Sequence, residues 1–317
     1  MGGLFFVASA VRTGDYGAAM GHSRTPSTES QFDAVALAAV VATVLVWGGS
    51  YTAIRIALAS LTPAEIAVIR YFVAAVVGAI YLAAVRSRWP TREEFVRLGI
   101  VGVLYVLGFA VLLNWGQETV SAGTAGFVVG TSPVLIAMMA VFALGEPFGR
   151  LSTLGALISF AGIGLIAFGS GDRFTLEFGV ILVFGAALSA AAASVIQKPL
   201  LIDFTAVALT AWILLLGVVP LLPVLPNATA ALLVADGDVI WAVAFLAVFS
   251  TIIGYVSWST ALKRMSAGRA GSFLNCVPLA ATAIGFVVLG EVPTATGLVG
   301  GLLALTGVIV VNAARGR

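Results

Sequence analysis

Charge is what this chain has least of. Only 9% of its 317 residues are Asp, Glu, Lys or Arg and 61% are hydrophobic, whereas soluble domains carry about a quarter charged residues. With a mean hydropathy of +1.12, a water-soluble globular fold is excluded and a polytopic membrane protein is expected. Histidine is nearly absent: the single one, His22, lies near the N-terminus. No paired carboxylates and no metal-ligand cluster fall within the apolar runs, so hydrolytic and metal-dependent chemistry lack their residues. The composition therefore argues against an enzyme and calls for no cofactor, no metal and no nucleic-acid partner. One cysteine, Cys276, rules out an intrachain disulfide and carries no information about redox compartment.

What the chain does have is an internal repeat, which comes first in any reading of architecture. Residues 121–146 read SAGTAGFVVGTSPVLIAMMAVFALGE, and residues 266–291 read SAGRAGSFLNCVPLAATAIGFVVLGE. At this offset of 145, Ser121, Gly126, Pro133, Gly145 and Glu146 fall on Ser266, Gly271, Pro278, Gly290 and Glu291, and the match continues through Gly155 and Gly162 onto Gly300 and Gly307. Biased composition pairs Ala, Gly and Leu by chance. It does not readily pair a mid-helix proline and a terminal Gly-Glu at one offset.

Residues 1–32 combine a short apolar patch with a Ser-, Thr- and Gly-rich stretch; the patch is too short to span and has no basic region before it. They read as a disordered cytoplasmic tail, with Met20 as an alternative start. From Asp33 onward, apolar runs of about 20 residues recur at 34–57, 64–85, 96–117, 121–144, 151–169, 177–199, 205–224, 238–262, 267–290 and 294–313. Gly and Pro punctuate their ends, as at Thr62-Pro63, Trp89-Pro90, Pro226-Asn227 and Val292-Pro293. The expected fold class is an all-α integral membrane protein of ten transmembrane helices. Its first five-helix repeat occupies 33–170 and its second occupies 171–317.

Basic residues set the orientation. With the N-terminus cytoplasmic, the inner loops and ends collect Arg86, Arg88, Arg92, Arg97, Arg150, Lys198, Lys263, Arg264, Arg315 and others; the outer loops receive only Arg173, with Arg55 near the outer end of the first helix. Both termini then lie on the cytoplasmic side of the plasma membrane. An odd number of spans per copy forces the second copy to enter with the opposite sense, so the repeats are inverted. Inverted repeats about a midplane axis are the architecture of secondary transporters, because two mirrored halves can expose a central site alternately to either side.

Five plus five helices, the Trp47 to Ser50 sequence WGGS in helix 1, Arg70 within helix 2, and a mid-helix proline followed by Gly-Glu in helices 4 and 9 together resemble the EamA-type members of the drug/metabolite transporter superfamily. The resemblance covers residues 34–313. It implies a central cavity lined by helices 1–4 and 6–9, with helices 5 and 10 peripheral, and a small-molecule substrate such as an amino acid, another metabolite or an amphipathic drug-like compound. Helix 6 departs from the pattern: Ala190 to Ala193 stand where many relatives place a counterpart of Trp47, which leaves the second half of the cavity roomier. A channel-like facilitator of small polar solutes is the alternative, since neutral groups can line a pore.

Candidate site residues follow from the cost of polar groups in lipid. Arg70 sits about 10 Å along its helix from Pro63, too deep to lack a partner. It reads either as a docking point for a carboxylate or phosphate or as a tie to a helix-end carbonyl, Glu65 or Glu118. Trp47, Ser50, Tyr51, Thr131, Tyr255, Trp258 and Asn275 supply an apolar wall with a few polar groups, as a small-molecule site needs. Asn114 reads as an interhelical hydrogen-bond partner and Trp115 as part of the interfacial belt. Pro133 and Pro278 read as hinges. Glu146 and Glu291, at helix ends on opposite sides, read as gate residues rather than proton carriers. Gly126 and Gly271 stand on small-residue faces suited to close helix packing. Membrane lipid surrounds the whole. A proton as coupling ion stays open, because no carboxylate sits unambiguously at the midplane.

Overall fold

A computed structural model describes residues 34–144, 149–168, 177–264 and 273–315. The 1–32 segment, Glu146, Asp172, Arg173, Ala267 and Gly271 lie outside them. Among the described residues every regular element is helical. Ten helical spans follow one another: α1 (Ala34–Ala57), α2 (Pro63–Ala84), α3 (Arg92–Val103, Leu104–Val111 and Leu112–Gly116), α4 (Ala122–Val129 and Ser132–Leu144), α5 (Arg150–Phe168), α6 (Phe178–Gln197), α7 (Ala206–Leu233), α8 (Gly237–Ala244, Phe245–Ile253 and Gly254–Arg264), α9 (Val277–Leu289) and α10 (Ala295–Arg315). Six of these are long and apolar enough to cross a membrane, and α4, α5, α9 and α10 contribute shorter apolar helices.

Local chemistry sets the starts. Thr62 and Thr91 each accept from the backbone N–H three residues on, while Glu65 and Glu94 return a carboxylate to the cap N–H, so α2 and α3 both open with a capping box. Ser121 and Thr205 cap α4 and α7. The break expected at Pro226-Asn227 is not there: α7 runs on to Leu233. Pro220 and Pro223 tighten residues Val219–Val224 into a 3-10 turn, and Pro226 falls in the first turn of the next helical piece, Leu225–Leu233. A missing N–H costs nothing there, because first-turn donors have no intrahelical partner.

The third helix of each half carries a π-helical stretch, Leu104–Val111 in α3 and Phe245–Ile253 in α8. The fourth helix of each half breaks just ahead of its proline. In α4 the turn falls at Gly130–Thr131 before Pro133, and in α9 at Asn275–Cys276 before Pro278, positions that correspond at the repeat offset.

The packing displays the duplication directly. α1 packs on α8 and α9 while α6 packs on α3 and α4; α2 packs on α7 and α8 while α7 packs on α2 and α3; α4 meets α9 and α5 meets α10. Exchanging each helix for its counterpart maps this set onto itself. Equivalent helices run antiparallel: Gly155 faces Gly307 while Gly162 faces Gly300, and Gly123 faces Thr282 while Gly130 faces Pro278. The fold is therefore two inverted five-helix repeats. α5 and α10 form a pair of their own, held by glycine backbones in contact; a Cβ on Gly300 would come within 2.8 Å of the Gly162 carbonyl.

The four alanines of α6 do not leave a simple void. Ala191 and Ala193 are fully buried in packed apolar clusters with Leu135 and Leu209 among their neighbours, and Ala190 and Ala192 are half-buried. Small side chains here let helices approach rather than opening a gap.

Candidate functional site

The site is built where α1, α2 and α8 meet. In α8 the π-helical stretch leaves a carbonyl one residue out of register, and the Thr251 hydroxyl donates to the Leu246 carbonyl five residues back at 2.8 Å. That bond fixes the rotamer of Thr251 and aims its oxygen at α2. Arg70 meets it there: Nε donates to Thr251 Oγ1 at 2.7 Å, and Nη2 donates to Ser250 Oγ at 3.1 Å. Arg70 is only 8% exposed, and its guanidinium carbon lies 5.2 Å from the Tyr71 ring centroid. A π-bulge at a functional site is a familiar association.

Both partners of Arg70 are neutral. Ion pairs form between Arg55 and Glu291 and between Arg88 and Glu94, whereas the bonds of Arg70 go to hydroxyls. Neither the helix-end carbonyl nor the acids expected as structural ties turn up as partners: Glu65 closes the capping box of α2, and Glu118 enters only through its backbone carbonyl, to Arg55. The hydroxyls hold the guanidinium in place without neutralising it. The guanidinium is thus buried, oriented by two hydroxyls and bonded to no described carboxylate.

An aromatic wall stands beside it. The Trp47 indole N–H donates to the Ser250 carbonyl at 3.2 Å, and the Trp47 ring lies 5.9 Å from both Tyr255 and Trp258. The space for the indole exists because position 254 is glycine; a Cβ there would sit 2.5 Å from the Trp47 ring nitrogen. Of the residues expected at the site, Trp47, Arg70, Tyr255 and Trp258 are thus brought together. Ser50 is buried, but its hydroxyl is spent on the Trp47 carbonyl of its own helix. Tyr51 is buried, and its carbonyl accepts from the Gln117 side chain. Thr131 serves the break in α4, donating to the Val128 carbonyl at 2.6 Å. Asn275 is half-buried at the corresponding break before α9. Asn114 ties α3 to the Pro63 carbonyl at 2.9 Å, and Trp115 is half exposed, as an interfacial residue should be.

Thr251, which supplies one of the two anchors of Arg70, was not singled out from sequence. Only the π-turn makes this threonine special, and nothing in the local sequence announces it.

A second cluster links the two repeats at the end of α1. Arg55, near the end of α1, donates from Nε to Glu291 at 3.1 Å and from Nη1 to the Gln117 carbonyl at 2.6 Å. The other oxygen of Glu291 accepts from the Ala122 N–H, at the start of α4, at 2.8 Å. One carboxylate thus joins α1 and α4 of the first repeat to α9 of the second. Negative charge at a helix N-terminus is favourable in its own right.

The profile of the EamA-like transporter family matches residues 34–168 and again 177–313. A protein of Streptantibioticus cattleyicolor named as a probable terminal-alkyne amino-acid exporter is 32% identical over 282 residues, covering 86% of this chain and 92% of that protein. An uncharacterized transporter of Archaeoglobus fulgidus is 31% identical, with 85% and 95% covered. A probable amino-acid metabolite efflux pump of Salmonella typhimurium is 23% identical, with 84% and 91% covered. A solved crystal structure superposes with a TM-score of 0.59 at 17% identity over 89% of this chain and 98% of that one, a likeness of fold.

Proposed function

The chain belongs to the EamA-like transporter family, and from that premise we propose that it moves a small carboxylate-bearing metabolite or amphipathic compound across the cytoplasmic membrane by alternating access. The observation that carries the reading is the Arg70 guanidinium: buried, held by two hydroxyls, paired with no described carboxylate and flanked by Trp47, Tyr255 and Trp258. A substrate carboxylate placed on its unbonded edge would complete the pairing, with the aromatic rings covering the rest of the molecule. Relatives named as exporters of amino-acid compounds fit a carboxylate as the common handle and export as the direction.

The Arg55–Glu291 ion pair, which ties the two repeats together, supports a gated transporter over an open channel. In this reading Glu291 is a latch across the repeats and Pro133 and Pro278 mark the breaks about which α4 and α9 rearrange. Arg70 separates binding from structure experimentally. Purified wild type, Arg70→Lys and Arg70→Gln are melted with and without candidate carboxylates, since a ligand of the native state must raise its stability. Arg70→Lys keeps the charge and loses the planar fork, so it should fold while its ligand-induced shift shrinks. A full wild-type shift in both variants would exclude a docking role.

A further inference from the structure

From the level of Arg70, a cleft of about 150 Å³ runs along α2 between α7 and α8, lined by Ala74, Gly78 and Tyr81, by Ala211 and Leu214, and by Tyr255. Its floor is buried: Ala74, Ala211 and Leu214 are all at most 5% exposed. Its rim is Val77 and Val256, which are 41% and 51% exposed and face outward among other apolar side chains. The cleft therefore opens sideways, toward hydrocarbon. Its inner end is shared with the site, because Thr251 lines the cleft and also anchors Arg70.

We propose that this cleft takes the hydrocarbon chain of an amphiphilic carboxylate whose head group docks on Arg70. The inference rests on the reading of Arg70 given above and adds the substrate class. Three features select that occupant. The lining is apolar apart from the hydroxyls of Tyr81, Thr210, Thr251 and Tyr255, and those of Thr210 and Thr251 are already bonded to carbonyls of their own helices, so a polar ligand would find few partners. Arg70 lies just behind Thr251 at one end of the cleft, which orders the ligand head-in. From Ala74 to Tyr81 it extends about 10 Å along the helix, the length of a medium unbranched chain rather than a compact side chain. It also lies on the half of the protein that the basic loops assign to the cytoplasm, where an amphiphile in the inner leaflet could enter sideways.

The test measures Kd for unbranched carboxylates from about four to about ten carbons by titration into nanodisc-embedded protein. Each added methylene should tighten wild-type binding about fourfold, the equivalent of about 0.8 kcal/mol, until the cleft is full. Val207→Phe fills the cleft from a half-buried position without touching Arg70, and Thr210→Phe does so one turn on, keeping the test intact if the first variant folds poorly. Both should bind the shortest acids as wild type does and lose the gain for longer ones. Arg70→Lys should weaken the whole series by a common factor and keep the slope. A slope that survives in both filled variants, or a wild type with no slope because a bilayer lipid already holds the cleft, overturns the proposal. If the slope behaves as expected but Arg70→Lys binds like wild type, the cleft stands and the docking role of Arg70 falls.

Discussion

Gly290 shows why the Gly-Glu pair ends a helix. Its φ of +67° makes it the one glycine in left-handed conformation among the described residues, and its N–H bonds back to the Phe286 carbonyl while that of Glu291 bonds to the Gly285 carbonyl, which stops α9 in a Schellman-type turn. The chain reverses there, and the Glu291 side chain is returned toward Arg55 and the Ala122 N–H. A side chain at position 290 meets no steric obstacle in the surroundings, so its cost is conformational. Gly290→Ala should lower stability by about 1–2 kcal/mol, read as an earlier thermal melt. Glu291→Gln is a gentler probe of the latch, because the amide oxygen can still accept from Ala122 while the ion pair is lost. Thr52, on the latch side of α1 near Gly285, is almost fully buried and can report opening as Thr52→Cys in a Cys276→Ala background. Its thiol should react several-fold faster with maleimide when Glu291→Gln is present; equal rates would mean that the ion pair does not hold this end shut.

At the scale of elements, the glycine faces decide which helices meet. A Cβ on Gly126 would lie 3.0 Å from the Ala281 Cβ and 3.3 Å from the Pro278 Cα, and one on Gly130 would lie 2.8 Å from the Pro278 ring. α4 therefore crosses α9 at the break ahead of Pro278, resting Gly126 and Gly130 against that proline. Gly126→Leu should push these helices apart and cost folded protein on a sizing column, and Gly162→Leu should do the same to the α5–α10 pair. Gly164, which faces nothing within 4 Å, is the control that should tolerate Leu. Gly297 and Gly301, four residues apart on α10, differ: the near neighbour of Gly297 is its own cap residue Thr294, whereas Gly301 lies against the Phe127 ring. Spacing marks both as small, but only packing shows which of them another helix uses. Pro133 leaves no orphan at its break, because the hydroxyls of Thr131 and Ser132 each donate to a carbonyl three residues back. Pro133→Ala should add back a helical donor and bias α4 toward a continuous helix, slowing any transport that needs the break.

For the whole molecule, the antiparallel meeting of equivalent helices establishes the inverted repeat, and the basic loops then imply which face is cytoplasmic. Arg88→Cys, at the α2–α3 connection, and Asp236→Cys, before α8, should label on opposite sides of intact cells when each is placed in a Cys276→Ala background. Arg88 bonds Glu94 through both carboxylate oxygens and lies 4.2 Å from the Phe204 ring centroid, but exposed pairs of this kind contribute little to stability, so the substitution should leave the fold intact. Labelling of Arg88→Cys from outside would reverse the orientation without touching the inversion itself.

The sequence by itself determined the class, the ten spans, the duplication and the inversion. Hydropathy, an odd number of spans per copy and matched Pro and Gly-Glu positions are properties of the chain that no packing can undo. It also marked Arg70, Trp47, Tyr255 and Trp258, because a cation or an aromatic deep in an apolar run is conspicuous wherever the helix lies. It could not say that Arg70 would find Ser250 and Thr251, about 180 positions away. Nor could it say that Ser50 and Thr131 would spend their hydroxyls within their own helices, or that Glu291 would reach Arg55. A hydroxyl in a helix can bond its own backbone or a neighbour with little difference in local sequence. Only the tertiary fold chooses between them, because it is the approach of α8 to α2, with its π-turn, that puts an acceptor where the guanidinium ends.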